Sequence, residues 1–305
     1  MPQKSNRRKQ RIEKKVNKEK VKPSKKSYVV LIIIFTLILT IALFIYSVLK
    51  TDLGGTFTVA APSENGDGVL TVFAITEEKV TRFVVPSETL MDVSLQRGEW
   101  RMGSVWKLIE GERLNRNVYS NTLIKSLNVP VDGWYEREVK GLRLLTAKSS
   151  LNIFQKLKLF LFESSVARKD REEINFSETS YLFEAKLTDG EDGYRRQNEM
   201  SSKLRHYFVS PEIANAAEKF EIVNATGSYI GNISSMVKTL ETMGVHVLSV
   251  KEESLDEHID CVISSNKQTE TVSRIMKLFN CKYDRRHSGS FDAVVTIGER
   301  FLNRY

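Results

Sequence analysis

The sequence predicts an α+β protein carried behind a single N-terminal membrane helix. Three observations predict this class. Tyr28–Val48 is an apolar run without charge, Gly or Pro. A β-hairpin pattern occupies Val69–Val85, and strands and helices follow in the order βαββαβ between Phe220 and Ile297.

Charge orders the N-terminal end. The 305 residues hold 46 Lys+Arg and 38 Asp+Glu, a formal net charge of +8. Residues 1–27 alone hold twelve Lys/Arg with only Glu13 and Glu19 against them, a net of +10 that leaves −2 for residues 28–305. The basicity therefore belongs to a tail. A nucleic-acid groove needs positive charge on a folded face, so nucleic acid is not an expected partner. Two cysteines exclude a disulfide-dense scaffold and a four-thiolate zinc site.

The 21 residues Tyr28–Val48 form, at about 1.5 Å per residue, a helix as long as the bilayer hydrocarbon is thick. Fifteen of them are Leu, Ile, Val or Phe, worth about −5 to −9 kcal/mol of insertion free energy. The run is longer than a signal-peptide core, and the nearest small-residue cleavage pattern, Thr58-Val59-Ala60, lies well past it. A retained anchor at 28–49 is expected. The basic tail at 1–27 places the N-terminus in the cytoplasm, where it also meets anionic lipid. Everything after the anchor is then extracytoplasmic.

Residues 50–66 are small, polar and Gly-containing and are expected to be a linker with room for one strand. Val69–Ile75 and Val80–Val85 flank the short polar turn Thr76–Lys79, and Pro86 ends the second strand. Residues 115–127 predict a helix closed by Pro130 and Gly133, and Ser150–Val166 predicts another. Asp189–Gly193 predicts a turn, and residues 194–207 a weak helix. Glu221–Asn224, Val245–Val250, Cys261–Ser264 and Ala293–Ile297 predict strands. Between them, Ile230/Ile233/Val237/Leu240 and Val272/Ile275/Met276/Phe279 mark helix faces. The result is a two-layer βαββαβ sandwich with both helices on one face.

Residues 220–305 resemble the LytR C-terminal domain of bacterial envelope proteins. The resemblance rests on Glu221-Ile-Val-Asn-Ala-Thr-Gly227, Gly231, Leu240–Val250 and Asp292–Gly298. Residues 67–209 resemble a shortened, divergent LytR–CpsA–Psr domain, through the hairpin leading into Pro86-Ser-Glu-Thr89 and through Thr122–Asp132. The resemblance implies transfer of a glycopolymer from a polyprenyl-pyrophosphate carrier to peptidoglycan, aided by Mg²⁺. Such chemistry needs arginines and acidic residues gathered on a pyrophosphate. The family's arginine after the strand-end proline is Ser87 here, while the acidic position survives as Glu88. Arg195 and Arg196 are weak counterparts of a late arginine pair, because they are adjacent rather than spaced. Arg82, Arg97 and Arg101 are the conceivable replacements.

Other constellations have plainer readings. Gly227–Gly231 lacks the Lys-Ser/Thr of a phosphate loop and reads as a tight turn. His206, His246, His258 and His287 lack metal-ligand spacing. Phe154, Leu157, Phe160 and Leu161 form a stripe that either packs in a core or lines a lipid groove. Cys261 and Cys281 fall at the same end of one βα unit; two separate buried thiols are expected, with a disulfide as the alternative.

The expected function is therefore that of a membrane-anchored envelope protein that binds wall glycopolymer, peptidoglycan or envelope partners without catalysis and without a cofactor. One alternative is an active phosphotransferase using Mg²⁺. A scaffold for division or secretion, with protein partners the sequence does not name, is another.

Overall fold

The computed structural model describes residues 25–305 apart from 52, 188, 198, 228–232, 256–257 and 288. The basic tail before residue 25, and the expected roles of Ile230 and Gly231, lie outside the described residues. The chain divides into two units, Met1–Lys50 and Thr51–Tyr305.

In the first unit, helix α1 runs Lys25–Lys50. Its large apolar side chains from Tyr28 to Leu43, where described, are about half exposed or more, reaching 67% at Phe35. The uninterrupted described run is Ile32–Thr40, and among the described residues no helix is long and apolar enough to cross a membrane.

The second unit is built on two five-stranded sheets. In the first, β1 (Thr56–Pro62), β2 (Gly68–Ala74) and β3 (Lys79–Val85) form an antiparallel meander. The short strands β4 (Leu90–Val93) and β5 (Gly98–Arg101) pair with each other. Helices α2 (Met102–Gly111) and α3 (Asn117–Leu127) come next, and Asn128 closes α3 in the left-handed conformation. β6 (Gly133–Trp134) pairs parallel to β1. Helix α4 (Arg143–Thr146) leads to α5 (Ile153–Ser165), which opens on a capping box between Asn152 and Gln155. β7 (Arg171–Asn175) then pairs parallel to β3, giving the order β6-β1-β2-β3-β7.

Alternation along these strands gives the sheet two apolar faces. Ala60, Leu70, Val72, Phe83 and Val85 join the main core with α2 and α3. Phe57, Val59, Ala61, Phe73 and Val80 join a smaller core under α4 and α5. The expected linker at 50–66 is thus corrected: β1 pairs on both edges and Thr56–Ala61 are all buried. Its Thr and Ala side chains look linker-like in isolation. Here they let helices approach both faces of the sheet.

The expected weak helix at 194–207 is also corrected. β8 (Leu182–Lys186) and β9 (Asp192–Arg196) make a hairpin, and only α6 (Ser202–Arg205) is helical. A short α7 (Pro211–Ala216), with Pro at its start, leads to the second sheet.

That sheet contains β10 (Lys219–Ala225), α8 (Ser234–Thr242), β11 (His246–Glu252) and β12 (Cys261–Ser265). It continues through α9 (Glu270–Phe279), β13 (Lys282–Asp284), β14 (Ala293–Gly298) and α10 (Glu299–Arg304). Its order is β11-β10-β14-β12-β13. The expected βαββαβ order is extended by β13, too short and polar to show a strand period, and by a terminal helix anchored through buried Phe301. The helices pack on the face carrying Phe220, Ile222, Ile263 and Val295, within the same core that reaches the first sheet. Arg274 of α9 and Asp132 before β6 tie the sheets further, in an ion pair with both side chains under a tenth exposed. Asp132 also accepts the Thr58 N–H at 2.8 Å.

Cys261 and Cys281 are joined in a disulfide across the starts of β12 and β13. The expectation of two separate thiols fails because β12 and β13 pair in parallel, which brings both residues to the same end of the sheet.

Candidate functional site

Arg82 sits in the middle of β3 on the face covered by α4 and α5. Its cross-strand neighbours are Thr71 on β2 and Glu173 on β7. Its guanidinium pairs with Glu173 and, at 2.8 Å, with Glu138 from the segment after β6. Lys140 also reaches Glu138, at 3.3 Å. One arginine held between two carboxylates has no charge left over for a phosphate.

The apolar space beside Arg82 is nearly closed. A cavity of about 30 Å³ remains among Val59, Phe73, Val80, Tyr135 and Leu144, room for about one water molecule. Of the α5 stripe, Phe154, Leu157 and Phe160 are half-buried and Leu161 is exposed. The innermost residue is Leu159, and Phe162 meets Phe73 edge-on at 6.2 Å. Periodicity could not choose this face, because apolar residues fill most positions from Leu157 to Phe162.

The remaining candidates lie elsewhere. Glu88 is exposed, and its carboxylate accepts the Ser87 hydroxyl at 2.9 Å. Ser87 in turn donates its N–H to Asp67 at 2.9 Å, so the position matching the family's arginine is occupied by a carboxylate contact. Arg97 pairs with Glu112 at 3.2 Å. Arg101 pairs with Asp189 at 2.9 Å and Glu191 at 3.0 Å. Arg195 pairs with Glu99 at 3.3 Å. Arg196, by contrast, has no carboxylate partner among the described ion pairs, and its Nη1 is buried without a hydrogen-bond partner. Arg195 and Arg196 line a 680 Å³ cleft between the hairpin, β4, α3 and the second sheet's helices, far larger than the slot beside Arg82.

Two basic features escape sequence reasoning. Arg137, Lys140 and Arg143 line an open 530 Å³ cleft with Ser63 and Glu64. Only their spacing in a charged loop could have signalled them. Lys125, paired with Asp92 at 2.9 Å, joins Arg195 in the larger cleft. Among the described residues no three of His, Cys, Asp and Glu gather as a metal site. Asp67 accepts the Ser87 N–H and Glu88 the Ser87 hydroxyl.

No family model matches the chain, and no curated protein matches it. Solved structures similar to it include TagT of Bacillus subtilis, at 12% identity and a TM-score of 0.39, covering 52% of this chain and 94% of that one. Another is described as a LytR-CPS2A-psr family protein, TagT, with bound octaprenyl pyrophosphate lipid: 13% identity and a TM-score of 0.37, over 52% and 90%. The chain resembles the LytR–CpsA–Psr family. An Enterococcus faecalis structure described as a transcriptional regulator is similar at 7% identity and a TM-score of 0.36, over 63% and 88%. Likenesses this distant decide no LytR–CpsA–Psr activity for the chain; its own residues must.

Proposed function

We propose that this chain is a single-pass, N-in protein of the cytoplasmic membrane, whose extracytoplasmic part binds wall material without transferring it. One observation carries the non-catalytic reading. Arg82, Arg97, Arg101 and Arg195 are each held by their own carboxylates instead of converging on one pocket. Pyrophosphate chemistry needs several uncommitted donors aimed at one place.

The anchor reading is supported by the 21-residue uncharged run within α1, by its exposed apolar side chains and by the preceding basic tail. A disulfide suits an oxidising exterior. In the same reading, residues 67–209 are the divergent LytR–CpsA–Psr-like part and residues 220–305 the LytR C-terminal-like part. The exterior net charge of −2 disfavours nucleic acid.

Full-length protein in detergent micelles is to be incubated with isolated peptidoglycan bearing its wall polymer. Separately, it is to receive polyprenyl-pyrophosphate-linked glycan with Mg²⁺. Co-sedimentation without turnover is expected; metal-dependent transfer would overturn the non-catalytic reading. The cleft of Arg137, Lys140 and Arg143 favours the transferase alternative, since it adjoins the slot beside Arg82 and shares Glu138 with it. If turnover occurs, Arg143→Ala should lower it.

A further inference from the structure

The 680 Å³ cleft between the β8–β9 hairpin and the second sheet's helices is of the size usual for small-molecule sites, about 300–1,000 Å³. Its polar walls are of two kinds. Arg195 with Glu99, and Lys125 with Asp92, are ion pairs that cancel internally while presenting donors and acceptors side by side. Such pairs suit hydroxyl groups, which donate and accept at once.

Arg196 and Tyr305 are different. Arg196 Nη1 is buried without a hydrogen-bond partner of its own, although the Tyr181 hydroxyl lies within hydrogen-bonding reach of the guanidinium. Tyr305 is 2% exposed, and its hydroxyl makes no hydrogen bond of sound geometry despite the nearby Ser235 and Thr239 hydroxyls. Buried donors of this kind are rare, because each loses water and gains nothing in return. An anion accepting from both would satisfy them. Phe183, 41% exposed on the cleft wall, offers a flat apolar surface beside them.

We infer that this cleft binds an anionic saccharide. The sugar ring lies on Phe183, its hydroxyls meet the two ion pairs, and its phosphate or carboxylate takes the free donors of Arg196 and Tyr305. The inference rests on the wall-binding reading and assigns it a place.

Full-length protein in micelles is to be titrated by calorimetry with glucose 1-phosphate, glucuronate, glucose and inorganic phosphate. At least one charged sugar is expected to bind about tenfold more tightly than glucose; which one binds identifies the anion. Arg196→Gln should reduce that affinity to the level of glucose. Tyr305→Phe should weaken it about threefold while leaving the protein folded. Should Arg196→Gln fail to fold, Tyr305→Phe carries the test alone. Equal affinity for glucose, inorganic phosphate binding as tightly as the better-bound charged sugar, no sugar binding, or folded variants with native affinity would each overturn the site. Co-sedimentation with walls separates the two readings. Native protein and Arg196→Gln sedimenting alike removes the cleft but keeps wall binding, whereas native protein that fails to sediment removes wall binding itself.

Discussion

Arg82 and Arg274 show how one residue type takes opposite parts according to its surroundings. Arg274 donates from Nε and Nη2 to the two Asp132 oxygens at 3.1 and 3.0 Å, and both side chains are nearly buried. Removing one member leaves the other charge without solvent or partner, so Asp132→Ala should cost about 3–5 kcal/mol of stability in urea unfolding. Arg82 has one exposed partner, Glu173, and one half-buried partner, Glu138. Its residues belong to segments far apart in the chain, so nothing local in the sequence announces the cluster. Of the candidate site, the missing family arginine at Ser87 was legible, because that position is defined by the proline before it. The commitment of Arg82, Arg97, Arg101 and Arg195 to separate carboxylates was not, since each pairing joins different elements.

The β8–β9 hairpin is tied to the rest of the unit by contacts of which two can be tested. Gly193 faces the Glu88 carbonyl, where an added Cβ would stand 2.6 Å from the oxygen and 2.5 Å from Leu187. Gly193→Ala should therefore loosen the hairpin, seen as faster amide exchange at Tyr194, whose N–H donates to Glu88. The hairpin turn carries Asp189, held below its ordinary carboxyl value of 3.8 by the Glu191 N–H and then by Arg101. A depressed folded-state value means that ionised Asp189 contributes fully above 3.8 and loses its contribution as pH falls through the lowered value. Protection of the hairpin amides, taken relative to intrinsic exchange at each pH, should fall in that acid window and stay unchanged between pH 5 and 8; equal protection throughout would remove Asp189 as a clasp.

At a second element, the disulfide closes a loop of 20 residues around α9. In the chain-entropy model such a loop is worth about 3 kcal/mol, so reduction should lower the unfolding midpoint measurably. Alkylation without reductant, followed by mass measurement, should label neither cysteine; two labelled thiols would contradict the bridge.

On the scale of the whole unit Thr51–Tyr305, one apolar core includes Leu70 and Phe83 of the first sheet and Ile222, Ile263 and Val295 of the second. Arg274 and Asp132 add a polar tie across it. Sheets that share a core lose it together. Calorimetry should give a single transition with van't Hoff and calorimetric enthalpies in agreement, and an earlier separate transition of the second sheet would contradict the shared core.

By itself the sequence determined what depends on neighbours within a segment. The β2–β3 hairpin, helix α3, helix α5 and the succession of β10, α8, β11, β12 and α9 all follow from periods of two or 3.6 residues and from their turn chemistry. Tertiary structure alone decided what depends on distant partners. It made β1 a central strand, paired Cys261 with Cys281, and turned Leu159 rather than its neighbours inward. Among the described ion pairs, it also left Arg196 alone of the candidate arginines without a carboxylate. The physical reason is range: side-chain spacing acts over a few residues, whereas strand pairing and ion pairing are settled by packing between segments the chain holds far apart.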